Sequence, residues 1–131
     1  MNGMDQFELP RTYVHLNADG ATALLDGPEL WRRPPAELDA MLTGWLVASF
    51  PIEPSDGPGH REMHPNGDEL LHVTAGATDV LLSDDAAGGE RTVTLHAGQT
   101  FRVPKGTWHR LRGREAGTLV TITYGHGTQQ G

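Results

Sequence analysis

The sequence contains no cysteine, which excludes disulfides, thiolate nucleophiles and cysteine-held zinc sites together. Any bound metal must be held by imidazole and carboxylate, a donor set that favours Mn, Fe, Ni or Zn over thiolate-selected ions. Lysine is almost absent: Lys105 stands alone, and ten Lys and Arg face seventeen Asp and Glu, for a net charge of −7. With an excess of acid and no basic stripe, the chain repels phosphate backbones, so nucleic acid is not an expected partner. No apolar run approaches the ~20 residues that cross a bilayer, and no membrane role is expected. The opening residues Met1–Leu16 carry no basic region followed by an apolar core. No secretory signal is therefore expected, and the expected location is cytoplasmic.

What the sequence has is length for one core and many turn residues. Its 131 residues suit a single domain, too short for two. Seventeen Gly and nine Pro point to short strands joined by many turns. In the first third, Thr12–Leu16 and Thr22–Leu25 read as strands around the turn Asn17-Ala18-Asp19-Gly20. Gly27–Arg33, with Pro28 at its first position, reads as a helical turn, and Ala36–Leu42 as a second short helix. Trp45–Ile52 lacks helical periodicity and reads as a strand, followed by a Pro/Gly-rich loop over Pro54–His60. Turn signals then recur every 8–12 residues or so, the rhythm of a sandwich or barrel. The strands expected are Glu62–His64, Glu69–Ala75, Thr78–Ser83, Arg91–Leu95, Thr100–Val103, Trp108–Leu111 and Leu119–Tyr124. Asn66-Gly67 signals a tight hairpin, Asp84–Gly89 a turn, and residues 125–131 a flexible tail.

Strand alternation places Glu62 and His64 on one face, with Met63 opposite. A hairpin at Asn66-Gly67 would bring Glu69 beside His64. Pro104-Lys105-Gly106 resets the backbone before Trp108-His109, which puts His109 on the side of Leu111. Two imidazoles and one or two carboxylates converging on a barrel interior make a mixed N/O site for a divalent ion. Phe101, Val103, Leu111, Leu71 and Val73 are the expected interior beside it.

These residues fall in a known pattern. His64-Pro65-Asn66-Gly67-Asp68-Glu69, then six residues and Gly76, resembles the second half of the first cupin motif. The segment from Gly98 through Pro104, Gly106 and His109 resembles the second motif at every spacing, its usual final Asn replaced by Gly113. The resemblance covers about residues 60–124. It implies an all-β double-stranded β-helix, a small jelly-roll-like cupin barrel, with one or two short helices in the N-terminal third. The whole of 1–131 is then one cupin domain, with residues 1–59 forming strands and short helices ahead of the motifs. The implied metal ligands are His64, Glu69 and His109. The family's first His is Glu62 here, and three roles stay open for it: substitute ligand, general acid/base, or a side chain that no longer binds metal. Two carboxylates and two neutral imidazoles around a dication sum to a neutral shell, which favours Mn, Fe or Zn over copper.

Other residues read more plainly. His15, His60, His72, His96 and His126 are expected to be structural or solvated, His72 because its parity turns it away from Glu69. Asp68 reads as a turn residue. Arg102, Arg110, Arg112 and Arg114 read as solvated charge on an outer face, although such a cluster could bind an anion. Trp31, Trp45 and Trp108 could line a ligand pocket but read as core or interface, and Trp31 and Trp45 mark where a homodimer contact is expected. The resemblance implies a divalent-metal protein acting on or binding a small polar molecule inside the barrel. As an enzyme it would be a dioxygenase, isomerase or decarboxylase. The alternatives are a non-catalytic binding or sensing module, with or without metal, and a degenerate barrel stabilised by its metal.

Overall fold

The computed structural model describes residues 6–84 and 89–131. At the N-terminal end, β1 (Thr12–Leu16) and β2 (Thr22–Asp26) form an antiparallel hairpin. Asp26 then caps α1 (Gly27–Leu30), its carboxylate accepting from the Glu29 amide at 2.9 Å, with Pro28 in the first turn. This is the arrangement a donor-free residue and a short acidic side chain favour at a helix start. Next come α2 (Pro35–Met41) and β3 (Trp45–Ile52), close to the expected bounds. The remaining strands are β4 (Glu62–Met63), β5 (Glu69–Asp84), β6 (Gly89–His96), β7 (Thr100–Val103), β8 (His109–Thr123) and β9 (Gln129–Gln130).

All pairings are antiparallel: β2-β1-β3-β8-β4-β9 run side by side, and β5 pairs β8, β6 and β7. This is an all-β barrel with two short helices at one end. Its interior holds Ile52, Leu71, Val73, Val80, Leu82, Leu95, Val103 and Leu119, with Phe101 and Leu111 packed against them. Each such side chain stabilises the fold by about 1.5–3 kcal/mol when fully buried. A second cluster, Tyr13, Leu30, Leu42, Leu46 and Ala48, fastens the N-terminal hairpin and helices to β3.

Four expectations change. Glu69–Ala75 and Thr78–Ser83 are one strand, β5, and Trp108–Leu111 and Leu119–Tyr124 merge into β8. Gly76 bends β5 rather than ending it. Its φ is +80°, a Cβ there would lie 2.5 Å from the Glu115 carbonyl oxygen, and register shifts flank it between Val73 and Thr78. These irregularities switch the interior face from Glu69, Leu71 and Val73 to Thr78, Val80 and Leu82, as bulges do.

The hairpin expected at Asn66-Gly67 does not form. Gly67 lacks the positive φ that a type I′ turn requires, and β4 pairs β8 and β9 instead of β5. Asp68 fixes the crossing segment, its carboxylate accepting from the Lys105 amide at 2.8 Å and its carbonyl from the Tyr124 amide. The flexible tail expected at 125–131 is instead ordered by β9, which pairs Gln130 with Glu62 and Gln129 with Met63. Of the turn expected at Asp84–Gly89, residues 85–88 lie outside the described residues.

Candidate metal centre

Three strands deliver the site. Glu62 lies on β4 opposite His109, the first residue of β8. His64 follows β4 directly, and Glu69 opens β5 opposite Thr123 of β8. His64, Glu69 and His109 are buried and Glu62 is half-buried. One donor atom from each of Glu62, His64 and His109 lies within 4.8 Å of the other two. Glu69 sits against both rings, with Oε1 3.0 Å from His109 Nε2 and Oε2 3.5 Å from His64 Nε2. The residues singled out from sequence therefore share one pocket, with Glu62 on their side of it.

The hydrogen bonds fix which nitrogens face the pocket. The Thr128 hydroxyl donates its single proton to the Gly125 carbonyl at 2.7 Å. Its lone pair is then left to accept from His64 Nδ1–H at 2.8 Å. In the neutral ring this puts the lone pair of His64 on Nε2, a buried atom with no hydrogen-bond partner among the described residues. Such an orphan is rare in an interior, where polar atoms are almost always paired. His109 follows the same logic, with Nδ1–H donating to the Thr107 carbonyl at 3.0 Å. Its neutral Nε2 would face a carboxylate oxygen of Glu69, lone pair to lone pair. That contact requires a cation between them, either a proton that makes His109 imidazolium or a metal ion.

The electrostatics agree. Burial works against the charged form of both groups. For His109, the hydrogen bond and charge of Glu69 outweigh it and raise the pKa. For Glu69, contacts from His109, His64 and Thr123 outweigh it and hold the carboxyl at about 2. Thr123 Oγ1 donates to Glu69 Oε2 at 2.5 Å. An unpartnered imidazole nitrogen, a second one aimed at an ionised carboxylate, and a further carboxylate alongside together fit a divalent cation.

Sequence reasoning missed the side chains that orient this set: Thr128 and Thr123, and Gln130, whose Nε2 donates to Glu62 at 3.1 Å. No local signal marks them, because they reach the site through strand pairing alone. Among the residues set aside, His72 faces outward and bonds Thr100. Arg112 and Arg114 are tied to the buried Asp79, and Arg110 is bidentate on Glu90. Trp108 stacks under Arg61, and Trp45 packs edge-on to Tyr124. Trp31 is not a core residue: 47% exposed, it lines the pocket, its indole N–H donating to Tyr13.

A cupin domain model matches residues 49–123, more than half of the chain. The chain belongs to the cupin family. Solved cupins share its fold. A cupin-2 domain protein from Shewanella frigidimarina is 23% identical over 60% of this chain and 69% of its own, with a TM-score of 0.50. An oxalate oxidase is 24% identical, covering 65% of this chain and 45% of its own, with a TM-score of 0.52. The oxalate decarboxylase of Bacillus subtilis, described with Mn(II) centres, is 20% identical over 67% of this chain and 24% of its own, with a TM-score of 0.55. No curated protein matches the chain. The cupin match leaves out β1, β2, both helices, the start of β3 and β9; of these, α2 and its flanks line the pocket, and β9 with Thr128 before it braces the ligand set.

Proposed function

We propose that this cupin holds a divalent ion, Mn, Fe, Zn or Ni, between His64, Glu69, His109 and Glu62, and acts on a small molecule in the cavity above it. The observation that carries the reading is His64 Nε2, buried and unpartnered while Nδ1 is locked onto Thr128. The donor set and the Mn(II) named for the decarboxylase neighbour support the ion class. When bound, such an ion polarises a carbonyl or binds an oxygen donor at its open positions.

The chain's own residues supply the rest. Thr128 and the Thr107 carbonyl fix both rings with Nε2 inward. Thr123 steadies Glu69, so that the carboxylate stays ionised and aimed at the rings. Glu62, half-buried on the cavity wall and held by Gln130, offers its carboxylate to the same ion beside the two rings. The reaction class implied is dioxygenation, isomerisation or decarboxylation.

Elemental analysis of the purified protein tests this directly. Near-stoichiometric metal, lost in both His64→Ala and His109→Ala, is expected, together with turnover in a small-molecule panel that vanishes in the same variants. Full loading with ligand-dependent stabilisation but no turnover would favour a binding module over an enzyme. Protein left metal-free after growth in supplemented medium would sink the metal reading.

A further inference from the structure

The site opens into a cavity of about 910 Å³, large for a two-carbon acid and within the range that encloses drug-sized ligands. Its walls are not like its floor. Taking the ligand set as its floor, the rest of the lining includes Leu46 and Phe50 of β3, Leu119 of β8, and a helical wall of Trp31, Leu38 and Leu42. That helical wall lies outside the stretch common to the family, so its apolar character belongs to this chain.

The charges lining the cavity are equally uneven. Its two guanidinium groups are already engaged, Arg33 by Glu29 and Glu37 and Arg110 by Glu90. Among the described residues every lining Lys or Arg already has a carboxylate partner. Asp39, Glu53 and Glu62 add carboxylates to the same lining. A dication held by Glu62, Glu69 and two neutral imidazoles is itself neutral. A small dianion entering there would carry both charges into an acidic, partly apolar cavity without compensation, which is costly.

Resting on the metal reading above, we infer that the ligand has an apolar aryl or branched-alkyl body and a neutral or singly charged chelating oxygen head. Oxalate-like dianions are disfavoured, despite the shared fold with oxalate enzymes. The body lies along Leu38, Leu42, Leu46 and Phe50 with its far end at Trp31, and the head meets the floor. The small polar molecule expected from the family resemblance is thus narrowed to one with a polar end only.

The test uses full-length protein loaded with Mn(II), its metal content measured first, and calorimetric titration with three probes. These are 2-naphthohydroxamate, acetohydroxamate and oxalate. The two hydroxamates share a head and differ in apolar body, so their ratio reads the wall alone. Burial of the fused rings should make the naphthyl compound at least ~30-fold tighter, with oxalate weaker than either. Leu38→Gln, on a half-buried helix position, and Trp31→Ala, at an exposed one, should each shrink the ratio while leaving acetohydroxamate affinity and metal content unchanged. Oxalate binding tighter than 2-naphthohydroxamate to fully loaded protein would overturn the inference and leave the metal reading intact, as would equal affinity for the two hydroxamates. Failure to take up any of Mn(II), Fe(II), Zn(II) or Ni(II) would overturn both.

Discussion

Replacing Thr128 by Val is the sharpest probe of how this chain builds its centre. The substitution keeps the branched shape but deletes one oxygen, which now bonds His64 Nδ1 at 2.8 Å and the Gly125 carbonyl at 2.7 Å. Without it, His64 loses both the acceptor that selects its tautomer and the contact that fixes its ring. Groups that orient a metal-bound imidazole from behind contribute about 10–100-fold in metal affinity, or about 1.4–2.7 kcal/mol. The fold loses two hydrogen bonds worth about 1 kcal/mol each, offset in part by the added methyl. The metal-free protein should therefore remain folded, with Tm lowered by several degrees. Competition between protein and a chromophoric chelator for Zn(II) or Mn(II) measures the affinity directly. Thr128→Ser should retain most of it, because the hydroxyl is restored, and Thr74→Val, at an exposed hydroxyl bonded to the Thr118 carbonyl, should change nothing. A folded Thr128→Val variant with wild-type affinity would refute the claim that Thr128, just ahead of β9, orients His64.

Two further outcomes follow from the charges. In metal-free protein the depressed Glu69 stabilises above the ordinary carboxylate range, a contribution lost as pH falls towards about 2. The raised His109 stabilises below the ordinary histidine value and loses its contribution as pH rises through the raised one. Because a ligand imidazole must be neutral, metal affinity should climb with pH through that raised value and uptake should release about one proton. Calorimetry in two buffers of different ionisation enthalpy checks this, and pH-independent uptake without proton release would contradict it. On the outer wall, Asp79 is 2% exposed and held by Arg112 at 2.9 Å and Thr94 at 2.7 Å. Arg112→Ala should cost about 2 kcal/mol, a Tm drop of about 5–10 °C, and leave metal affinity unaltered. Because Arg114, at 3.5 Å, and Thr94 still hold Asp79 in that variant, Asp79→Ala should cost more than Arg112→Ala; a Tm unmoved by Arg112→Ala would argue against the pair.

Much of the centre was legible from residue order, for a reason rooted in strand geometry. Alternation fixes which side chains share a face wherever a strand is regular, so Glu62 with His64, Leu71 with Val73, and His109 with Leu111 could be paired without knowing any partner strand. The motif spacings and the absence of cysteine then limited the chemistry to imidazole and carboxylate. What alternation cannot supply is which strand lies beside which. The Asn66-Gly67 hairpin was a sound local expectation, overruled because Asp68 is held by Lys105 and Tyr124, far along the chain. Gly76 looked like an end and is a bend, because β8 runs unbroken beside it and carries the ladder across. The polar tail looked unstructured, and only its return to β4 sets Thr128 behind His64 and Gln130 on Glu62. Sequence by itself thus limited the candidate donors to imidazole and carboxylate and fixed which of those side chains share a face. Tertiary structure decided how they are oriented and what covers them, because both depend on contacts between residues the local pattern treats as unrelated.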